Sequence, residues 1–582
     1  MLPPLGNKSH HTKMKRIVII GGVAGGATAA ARIARLDRET TCVTILERGH
    51  DVSFANCGLP YHIGGTIVER EKLVLFQPDA LQKTIGITCV RTLMEVTRIE
   101  CNCVHAVNRT SGQEEVFLFD TLIYSPGATP IVPNVPGLPN PNKVFTLRTL
   151  QDMDRIITAM KQIAKEKENS VAVIGAGFIG LEMAEQLRLR NLNVTVVERS
   201  STVLPQADAE MSAFLHTSLR ENGVRLILSD SLSAVEQAAG SSRTRLQLES
   251  GCFLDVDFAI LCVGIRPESQ LAKESGIIEV SKNGRIPVNQ FMQTNVAHIY
   301  AVGDVVETQD PMFPQFRSWV ALGNVANMQA RVAADHAIRG DRVTPFHGSY
   351  GTSIVKVFGT KLAMTGWTER RLLDARIPYL SASLVASDHA EYYPGATTLS
   401  LKITFCPVRG TIFGAQCVGS NGVSRRIDVI ATALRGKLTV ADLCSIQCCY
   451  APSEGAAKDP INLLGMVAVN KMDGLLLSSN KLTCNRPILD VRTQYLRGVD
   501  PLVGVEHGKK VVPCHFASVK ELVQKSPEVE GAQYDVMCGW GRTAYFAHRT
   551  LSQRGVQSVV IDGGHVFHKN RVEVEAATRS KL

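Results

Sequence analysis

The sequence predicts an α/β protein, because the same strand–turn–helix–strand pattern occurs twice along its 582 residues. In the first copy, an apolar strand over 17–20 is followed by a glycine-rich turn over 21–26, an alanine-rich helix over 27–36 and a second strand over 42–46. Such a unit is typical of a parallel sheet with helices packed against its faces.

The second copy has the same order. Its first strand covers 171–174, and its turn, helix and second strand follow over 175–180, 181–189 and 194–197. A protein that repeats this unit is expected to contain two Rossmann-like dinucleotide-binding domains.

The remaining sequence predicts further structure beyond these two units. A strand over 298–302 ends in a Gly-Asp pair, and the pattern after about residue 346 becomes mixed α+β. A short polar stretch over 478–480 is expected to link this region to a last domain that begins near Leu482.

Composition excludes several classes of protein. The chain is 45% hydrophobic and 20% charged, and 63 Lys+Arg against 54 Asp+Glu give a net charge of +9. This moderate excess, without a long basic run, suits ligands that carry phosphates and does not predict nucleic-acid binding. The sequence contains no uninterrupted run of eighteen apolar residues, so no membrane span is predicted.

The 15 cysteines are odd in number and scattered, which does not resemble a disulfide framework. No C-x-x-C pair occurs, and neither Cys101 with Cys103 nor Cys448 with Cys449 has the partners of a zinc site, so no metal is predicted. The cysteine usage favours a reducing compartment, and we expect a cytoplasmic protein. Residues 1–13 lack an apolar core and are interpreted as a loose leader rather than a secretory signal.

A dinucleotide-binding turn needs glycine where the chain bends, where the backbone approaches the pyrophosphate, and where the helix packs on the strand. The second turn meets all three demands with Gly175, Gly177 and Gly180, and Glu198 ends the next strand where a ribose ligand is expected. Glu198 would repel a 2′-phosphate and favours NADH, although Arg199 beside it leaves NADPH open.

The first turn departs from the pattern at one position. Its outer glycines are present, a valine replaces the middle glycine, and a glutamate again ends the second strand. Since strand, helix and terminal glutamate accompany both turns, we predict that both bind a dinucleotide. The predicted cofactor-binding residues of the first turn are Gly21, Gly22, Val23, Ala24, Gly26 and Glu47.

Cys57 lies in a loop over 53–65 that follows the first unit. A thiol close to a flavin can exchange electrons with it, and the thiolate is the reactive form. Taken alone, Cys57 would be interpreted as a structural cysteine, but its place after the first turn, beside Gly58 and Pro60, favours a redox role.

This loop, S-F-x-x-C-G-L-P-Y-x-x-G-G, resembles that of the pyridine nucleotide-disulfide oxidoreductases, in particular the coenzyme A disulfide reductase branch in its rhodanese-fused form. Relatives of glutathione reductase carry a C-x-x-x-x-C pair in this loop instead, whereas residues 53–65 contain the single cysteine Cys57. The resemblance extends over about residues 15–565 and implies that FAD binds the first turn and NADH or NADPH the second.

Three further segments resemble FAD- and NAD-domain motifs of that family: T-L-I-Y-S-P-G-A over 121–128, V-G-I-R-P over 263–267 and T-N-V-A-H-I-Y-A-V-G-D over 294–304. In the last of them, the resemblance implies that an aspartate binds the ribityl chain of the flavin. The implied additional cofactor residues are Gly127, Gly264, Gly303 and Asp304.

Two segments resemble those near the coenzyme A site of the family's dimerisation domain, over 389–396 and 450–460. The family usually has Y-A-P-P-F in the second, so Ser453 and Glu454 are departures. Tyr393 and Tyr450 are candidates for orienting or protonating the sulfur leaving group, and a packing role is the alternative.

Further contacts to coenzyme A are predicted before the dimerisation domain. Arg32 and Arg35 lie one turn apart on the first helix, where they are candidates for binding its phosphates, and a solvated helix face is the alternative. Ser53 and Asn56 in the cysteine loop are also predicted substrate contacts.

The end of the chain resembles rhodaneses in its D-V-R strand over 490–492 and in the loop C-G-W-G-R-T over 538–543. Successive backbone N–H groups in such a loop hold a persulfide or anion. The register after the loop places Thr543 where the loop-closing arginine is expected, with Arg542 one position early. Cys538 is the predicted carrier of sulfane sulfur.

Together these features predict an α/β protein with two Rossmann-like dinucleotide-binding domains, an α+β dimerisation domain and a C-terminal rhodanese-like α/β domain. The predicted limits are a leader over 1–13, an FAD domain over 14–149 and 271–345, an NAD(P)H domain over 150–270, a dimerisation domain over 346–472 and a rhodanese-like domain over 473–582.

The resemblance implies a homodimeric enzyme in which electrons from NAD(P)H reach Cys57 through FAD and reduce a coenzyme A disulfide, a coenzyme A persulfide or a polysulfide. The rhodanese domain would supply or accept the sulfane sulfur. Two alternatives remain: a flavin NADH oxidase or peroxidase whose cysteine cycles through sulfenic acid, and a weakly catalytic, redox-responsive sulfur carrier.

Overall fold

A computed structural model describes residues 14–163, 169–238, 242–505, 508–525 and 532–579. The predicted leader over 1–13 lies outside the described residues. Contacts divide the chain into two units. The first comprises the chain up to Ile131, Thr146–Thr158 and Gly264–Ser349; the second comprises Val132–Phe145, Ala159–Val263 and the chain from Tyr350.

The first unit contains a five-stranded parallel sheet with the strand Lys15–Ile20 at its centre. The strand is apolar because both sheet faces are covered, and Ile17 and Ile19 are fully buried. The helix Ala24–Leu36 packs on the helix Gly323–Arg339. In order across the sheet, the strands are Ile299–Ala301, Thr121–Tyr124, Lys15–Ile20, Thr41–Leu46 and Cys89–Arg91.

Smaller elements complete the first unit. Its further strands are Met94–Ile99, Cys103–Asn108 and Glu114–Leu118 in one antiparallel sheet, Ile286–Pro287, Val306–Gln309 and Arg317–Ser318 in a second sheet, and Ala128–Pro130 with Ile265–Pro267 in a third. Its short helical segments are Asn56–Gly58, Leu59–Ile63, Arg70–Leu73, Pro78–Ala80, Leu81–Ile85 and Gln270–Ser275. The helix Leu150–Ile163 begins in this unit and ends in the second.

The second unit begins with another five-stranded parallel sheet, in which four strands are arranged as in the first sheet. The fifth strand is at the edge in both, but Val144–Phe145 precedes the other four in the chain, whereas Ile299–Ala301 follows them. In both sheets the order reverses beside the strand that leads into the glycine turn, and in such folds ligands bind where this reversal leaves a crevice at the carboxyl ends of the strands. The strands are Arg225–Leu228, Asn193–Glu198, Ser170–Ile174, Phe258–Leu261 and Val144–Phe145; the helices are Phe178–Leu189 and Ala209–Glu221; an antiparallel sheet adds Leu232–Gln237, Thr244–Leu248 and Phe253–Val256.

Both glycine turns run directly into a helix, so the predicted helix starts were three residues late. The helices begin at Ala24 and Phe178 rather than at 27 and 181. The N–H of Ala27 donates to the carbonyl oxygen of Val23 at 3.1 Å, and that of Leu181 to Gly177 at 3.0 Å. The last glycine of each turn therefore belongs to the first helical turn.

An antiparallel five-stranded sheet follows in the second unit, as the mixed α+β pattern predicted. Its strands are Ser353–Val357, Thr360–Gly366, Ile412–Gly419, Thr398–Phe405 and Leu380–Ser387, with the helices Glu369–Asp374, Val423–Arg435, Val440–Leu443 and Pro460–Met472.

The chain ends in a parallel sheet covered by helices. The predicted linker over 478–480 is wrong, because Ser478–Ser479 is an edge strand paired with Gln557–Ile561. Polar residues suit that edge position, where one side faces solvent. The strands are Ser478–Ser479, Gln557–Ile561, Gln533–Met537, Ile488–Asp490 and Val511–Pro513; the helices are Gln494–Val499, Phe516–Ser518, Val519–Lys525, Arg542–Ser552 and Gly564–Arg579.

The predicted combination of two similar parallel domains, an α+β domain and a C-terminal α/β domain is confirmed. Within the described ranges, no helix combines the length and the apolar character that a membrane span requires.

Candidate active site

Steric constraints explain the outer glycines of both turns. A Cβ on Gly21 would lie 2.1 Å from the carbonyl oxygen of Ser125, and one on Gly175 would lie 2.4 Å from that of Cys262. Both glycines also have φ near +90° to +100°, a conformation that disfavours other residues. Gly26 and Gly180 lie close to the first residue of their own turn. A Cβ on Gly26 would be 1.8 Å from the carbonyl oxygen of Gly21, and a Cβ on Gly180 would be 2.0 Å from that of Gly175.

The middle position obeys a different rule. A Cβ on Gly177 would meet no protein atom within 4 Å, so the chain itself does not require glycine there. The space beside Gly177 is open, as the close approach of a pyrophosphate to the backbone requires. Val23 occupies the equivalent place of the first turn without disturbing it, which explains how the pattern can lack its middle glycine.

Each turn is closed by the glutamate at the end of the second strand. Glu47 Oε2 accepts the backbone N–H of Gly22 at 2.8 Å, and Glu198 Oε2 accepts that of Ala176 at 2.7 Å. The remaining oxygen of Glu198 accepts the N–H of Ser200 at 2.8 Å. Two equivalent turns with open space and a fixed carboxylate fit two dinucleotides, here FAD and NAD(P)H.

The later FAD-type segments meet the first turn in the same unit. The N–H of Ser125 donates to the carbonyl oxygen of Ile20 at 2.8 Å, which places Gly127 just beyond that turn. Gly303 has φ 84° and donates its N–H to Gln329 Oε1 at 2.8 Å.

Asp304 is held by a partner that the sequence did not reveal. Its carboxylate pairs with Arg148 Nη2 at 3.1 Å, while its carbonyl oxygen accepts Trp319 Nε1–H at 2.7 Å. A Cβ on Gly127 would lie 2.8 Å from the same Arg148 Nη2. No motif contains Arg148, so no sequence signal could have found it. Gly264, with φ 123°, accepts the N–H of Ile131 at 3.0 Å where the chain returns to the first unit.

The cysteine loop is fixed directly to the first glycine turn. The N–H of Ser53 donates to the carbonyl oxygen of Gly22 at 2.9 Å, and the N–H of Ala55 donates to Leu73 at 2.7 Å. Ser53 has φ 47°, an uncommon value for a non-glycine residue, so the loop conformation depends on these bonds. Backbone hydrogen bonds therefore attach the loop to the first glycine turn.

Cys57 is exposed within this fixed loop, and its Sγ lies 3.6 Å from Asn56 Oδ1. A Cβ on Gly58 would lie 2.5 Å from Leu73 Cδ2, so the next residue must be small. By contrast, burial raises the pKa of the Cys262 and Cys417 thiols to about 12, which makes them poor nucleophiles. The exposed thiol beside the first turn is thus the best placed for redox chemistry.

The structure distinguishes the two predicted phosphate-binding arginines. Arg32 Nε pairs with Asp335 Oδ1 at 2.6 Å on the helix Gly323–Arg339, so this guanidinium already has an anionic partner. Arg35 is exposed on the same face of its helix, one turn later. A phosphate would therefore meet Arg35 more readily than Arg32.

The structure brings the two predicted tyrosine segments together. The N–H of Ala390 donates to the carbonyl oxygen of Pro452 at 3.4 Å. The phenols of Tyr392 and Tyr450 share a hydrogen bond, which raises the pKa of Tyr392. Tyr393 instead packs edge-on against the ring of His389, with centroids 5.8 Å apart.

The departures at Ser453 and Glu454 lie in a turn that an arginine holds in place. Arg425 donates to the carbonyl oxygens of Glu454 and Cys449, both at 2.6 Å. The unusual residues therefore occur in an ordered segment whose backbone is fixed.

Cys538 lies in the C-terminal domain, in the loop between the strand Gln533–Met537 and the helix Arg542–Ser552. It is buried, and its Sγ accepts the N–H of Gly541 at 3.0 Å. A Cβ on Gly564 would lie 2.5 Å from the carbonyl oxygen of Cys538. Arg542 extends away to Glu391 Oε1 at 3.4 Å. The loop thus directs an N–H group at the sulfur, while Arg542 pairs with a carboxylate of another domain.

One cluster resembles a metal site in composition. Glu100, Cys103 and His105 bring their ligand atoms within 4.8 Å of one another. However, Arg98 Nη2 lies 2.8 Å from His105 Nε2, and this guanidinium would repel a cation. We assign no metal there. All 15 cysteines are free of disulfide bonds.

Comparison with known proteins identifies a family. The family profile described as pyridine nucleotide-disulphide oxidoreductase matches residues 15–337, and the profile of its dimerisation domain matches residues 352–458. The coenzyme A disulfide reductase of Staphylococcus haemolyticus (strain JCSC1435) is 34% identical over 457 residues, which cover 78% of this chain and 99% of that protein.

Two solved structures extend the similarity through the C-terminal domain. The reduced CoADR-RHD of Bacillus anthracis is 36% identical and covers 96% of this chain and 98% of its own, with a TM-score of 0.89. An NAD-dependent persulfide reductase from A. fulgidus is 31% identical and covers 95% and 99% of the two chains, with a TM-score of 0.86. The family resemblance found in the sequence is confirmed.

Proposed function

Because the chain belongs to the pyridine nucleotide-disulphide oxidoreductase family, we propose that it uses NADH to reduce coenzyme A disulfide or coenzyme A persulfide through Cys57. One observation carries the proposal: an exposed thiol lies in a loop bonded through Ser53 to the first glycine turn. The names of the similar proteins, a coenzyme A disulfide reductase and a persulfide reductase, support this class of substrate.

Residues of this chain would hold both cofactors. FAD is assigned to the Gly21–Gly26 turn with Glu47, Gly127, Gly303 and Asp304, and the nicotinamide dinucleotide to the Gly175–Gly180 turn with Glu198. Bound FAD supplies the redox chemistry that connects hydride donation by the nicotinamide with thiol–disulfide chemistry.

The thiolate of Cys57 then attacks the disulfide. One coenzyme A leaves as thiolate, and a mixed Cys57–S–S–CoA disulfide forms. Two electrons from NADH reduce this bond, so that NADH, one proton and one disulfide give NAD⁺ and two thiols. With a persulfide as substrate, the products are one thiol and hydrogen sulfide. Tyr393 and Tyr450, in the homodimer that the dimerisation domain supports, are proposed to orient or protonate the leaving sulfur.

Cys538 is proposed to handle sulfane sulfur rather than to act in disulfide reduction. In the Cys538→Ser variant, we expect NADH oxidation with coenzyme A disulfide within about twofold of wild type, whereas hydrogen sulfide release from polysulfide should fall about tenfold. Steady-state rates with coenzyme A disulfide, coenzyme A persulfide, polysulfide and oxygen test both statements. Oxygen consumption that matches NADH loss without any sulfur substrate would instead identify an oxidase.

The second glycine turn is expected to discriminate between NADH and NADPH. Glu198 is buried, and backbone N–H groups hold both its oxygens, so it presents a fixed negative charge where a 2′-phosphate would lie. We expect kcat/KM for NADH to exceed that for NADPH by at least about tenfold, since like-charge contact costs several kcal/mol. Equal values for the two nucleotides would contradict this, and would implicate exposed Arg199 as a compensating cation.

A further inference from the structure

The last helix of the chain packs on the domain that carries the second glycine turn. The helix Gly564–Arg579 lies against the helix Ala209–Glu221, with the rings of Phe214 and Phe567 edge-on at 6.2 Å. The side-chain amide of Asn570 donates to the carbonyl oxygen of Glu210 at 3.0 Å. The C-terminal domain therefore covers one face of the helix Ala209–Glu221 of the second Rossmann-like domain.

At the centre of this contact, His216 is held in one tautomer. Only 1% of its surface is exposed, and its Nε2 accepts the backbone N–H of Val203 at 3.1 Å. Nε2 therefore carries no proton, and the proton lies on Nδ1. Nδ1 is 3.3 Å from Glu573 Oε1, so the imidazole donates to that carboxylate. Arg220 also pairs with Glu573, and hydrogen bonds from His216 and Arg220 lower the pKa of this carboxyl.

The residue after Val203 reaches the glycine turn itself. The N–H of Leu204 donates to the carbonyl oxygen of Ala176 at 2.8 Å, and both Val203 and Leu204 are fully buried. Leu204 has φ 47°, a value that leucine rarely adopts, so this segment depends on its contacts to keep its shape. The segment over 199–204 also follows Glu198, whose carboxylate holds Ala176 and Ser200.

We propose that Glu573, supplied by the C-terminal domain, is a positioning residue for NAD(P)H binding, acting through His216 on the segment over 199–204. The inference rests on the proposed assignment of the nicotinamide dinucleotide to the second glycine turn. It gives the C-terminal domain a role in nucleotide affinity that is separate from sulfur handling at Cys538.

Three variants of the full-length holoenzyme test this role. In Glu573→Ala, the imidazole loses its acceptor, and we expect the KM and Kd for NADH to rise roughly fivefold to tenfold while kcat at saturating NADH stays within about twofold. Glu573→Gln keeps an oxygen that accepts the same bond, so its values should stay close to wild type. Glu575→Ala is the control: Glu575 lies on the same helix but pairs with Lys481 at 3.2 Å.

A readout without turnover accompanies the kinetics. Hydrogen exchange followed by mass spectrometry should show faster exchange in peptides covering 199–204 for Glu573→Ala, and unchanged exchange for Glu573→Gln and Glu575→Ala. Unchanged NADH affinity in Glu573→Ala would overturn the proposal, as would equal defects in the alanine and glutamine variants. The KM for coenzyme A disulfide should not move in any variant.

Failure of the proposed function would look different. Anaerobic bleaching of the flavin by NADH needs no sulfur substrate, so NADH affinity can be measured even if coenzyme A disulfide is not reduced. A wild-type enzyme that NADH bleaches normally but that ignores every sulfur substrate would disprove the substrate assignment and leave the role of Glu573 testable. If NADH does not bind the wild-type enzyme, both ideas fall together with the nucleotide assignment.

Discussion

Replacing Cys57 by serine should abolish the reduction of coenzyme A disulfide, with a loss of at least about a thousandfold in kcat/KM. A serine hydroxyl can neither form the mixed disulfide nor ionise at neutral pH. No other cysteine lies in the loop over 53–65 to replace it. The loop bonds through Ser53 and Ala55 involve only the backbone, so the substitution leaves the fold of the loop intact. Steady-state NADH oxidation with coenzyme A disulfide measures the loss.

The matched control is Cys101→Ser, which removes another exposed cysteine of the same unit and should leave the rate unchanged. Anaerobic bleaching of the flavin by NADH should proceed normally in Cys57→Ser, because reduction of the flavin by NADH occurs before electrons pass to the Cys57 sulfur. If the variant retained a tenth or more of wild-type disulfide reduction, electrons would leave the flavin by another route, and the single-cysteine mechanism would be disproved.

The glycine turns could be predicted from the sequence because backbone conformation and nearby atoms restrict which residues fit there. Gly21 and Gly175 have backbone conformations and neighbours that exclude any side chain, so the residue type itself records the geometry. The same holds for the strand-ending Glu47 and Glu198, whose spacing from the turn follows from one helix and one strand. The helix starts were misplaced because glycines 26 and 180 serve both the turn and the first helical turn.

Contacts between residues that are far apart in the sequence could not be predicted in this way. His216 and Glu573 are 357 positions apart, and Arg148 and Asp304 are 156 apart. No periodicity or motif connects residues at such separations, because their proximity depends on the tertiary fold rather than on local sequence. Tyr450 illustrates the same limit within one domain: the sequence named Tyr393 and Tyr450 as candidates without relating them, whereas the folded chain pairs Tyr450 with Tyr392 and packs Tyr393 on His389.

Replacing Lys402 by methionine should destabilise the protein by about 3–5 kcal/mol, the range typical of removing one partner from a buried ion pair. Its ammonium is 1% exposed and lies 2.8 Å from Asp208, 2.6 Å from Glu210 and 2.7 Å from Glu369. Burial alone would lower the pKa of Lys402, but these carboxylates raise it well above the usual value. Methionine preserves the volume and removes the ammonium from buried Asp208 and Glu210 and from partly buried Glu369, while Arg571 Nη2 remains 3.7 Å from Glu210. Chemical denaturation followed by circular dichroism measures the change.

The pH dependence of this deficit separates lost charge from lost packing. Because the folded-state pKa of Lys402 is raised, its stabilisation is fully present at any pH below its unfolded value of about 10.5. In the wild type the pKa of Glu210 is lowered to about 2, while burial raises the pKa of Asp208 despite the ammonium. Without the ammonium, the pKa values of the clustered carboxyls rise further, so they take up protons as the pH falls.

The deficit of Lys402→Met should therefore be largest near about pH 8 and smaller near about pH 5. The control Lys83→Met removes an ion pair to Asp79 in which both side chains are about four-fifths exposed, and it should change stability by less than about 1 kcal/mol at either pH. A deficit in Lys402→Met that is independent of pH would mean that methionine packs poorly in the site, and that the cluster contributes little through its charge.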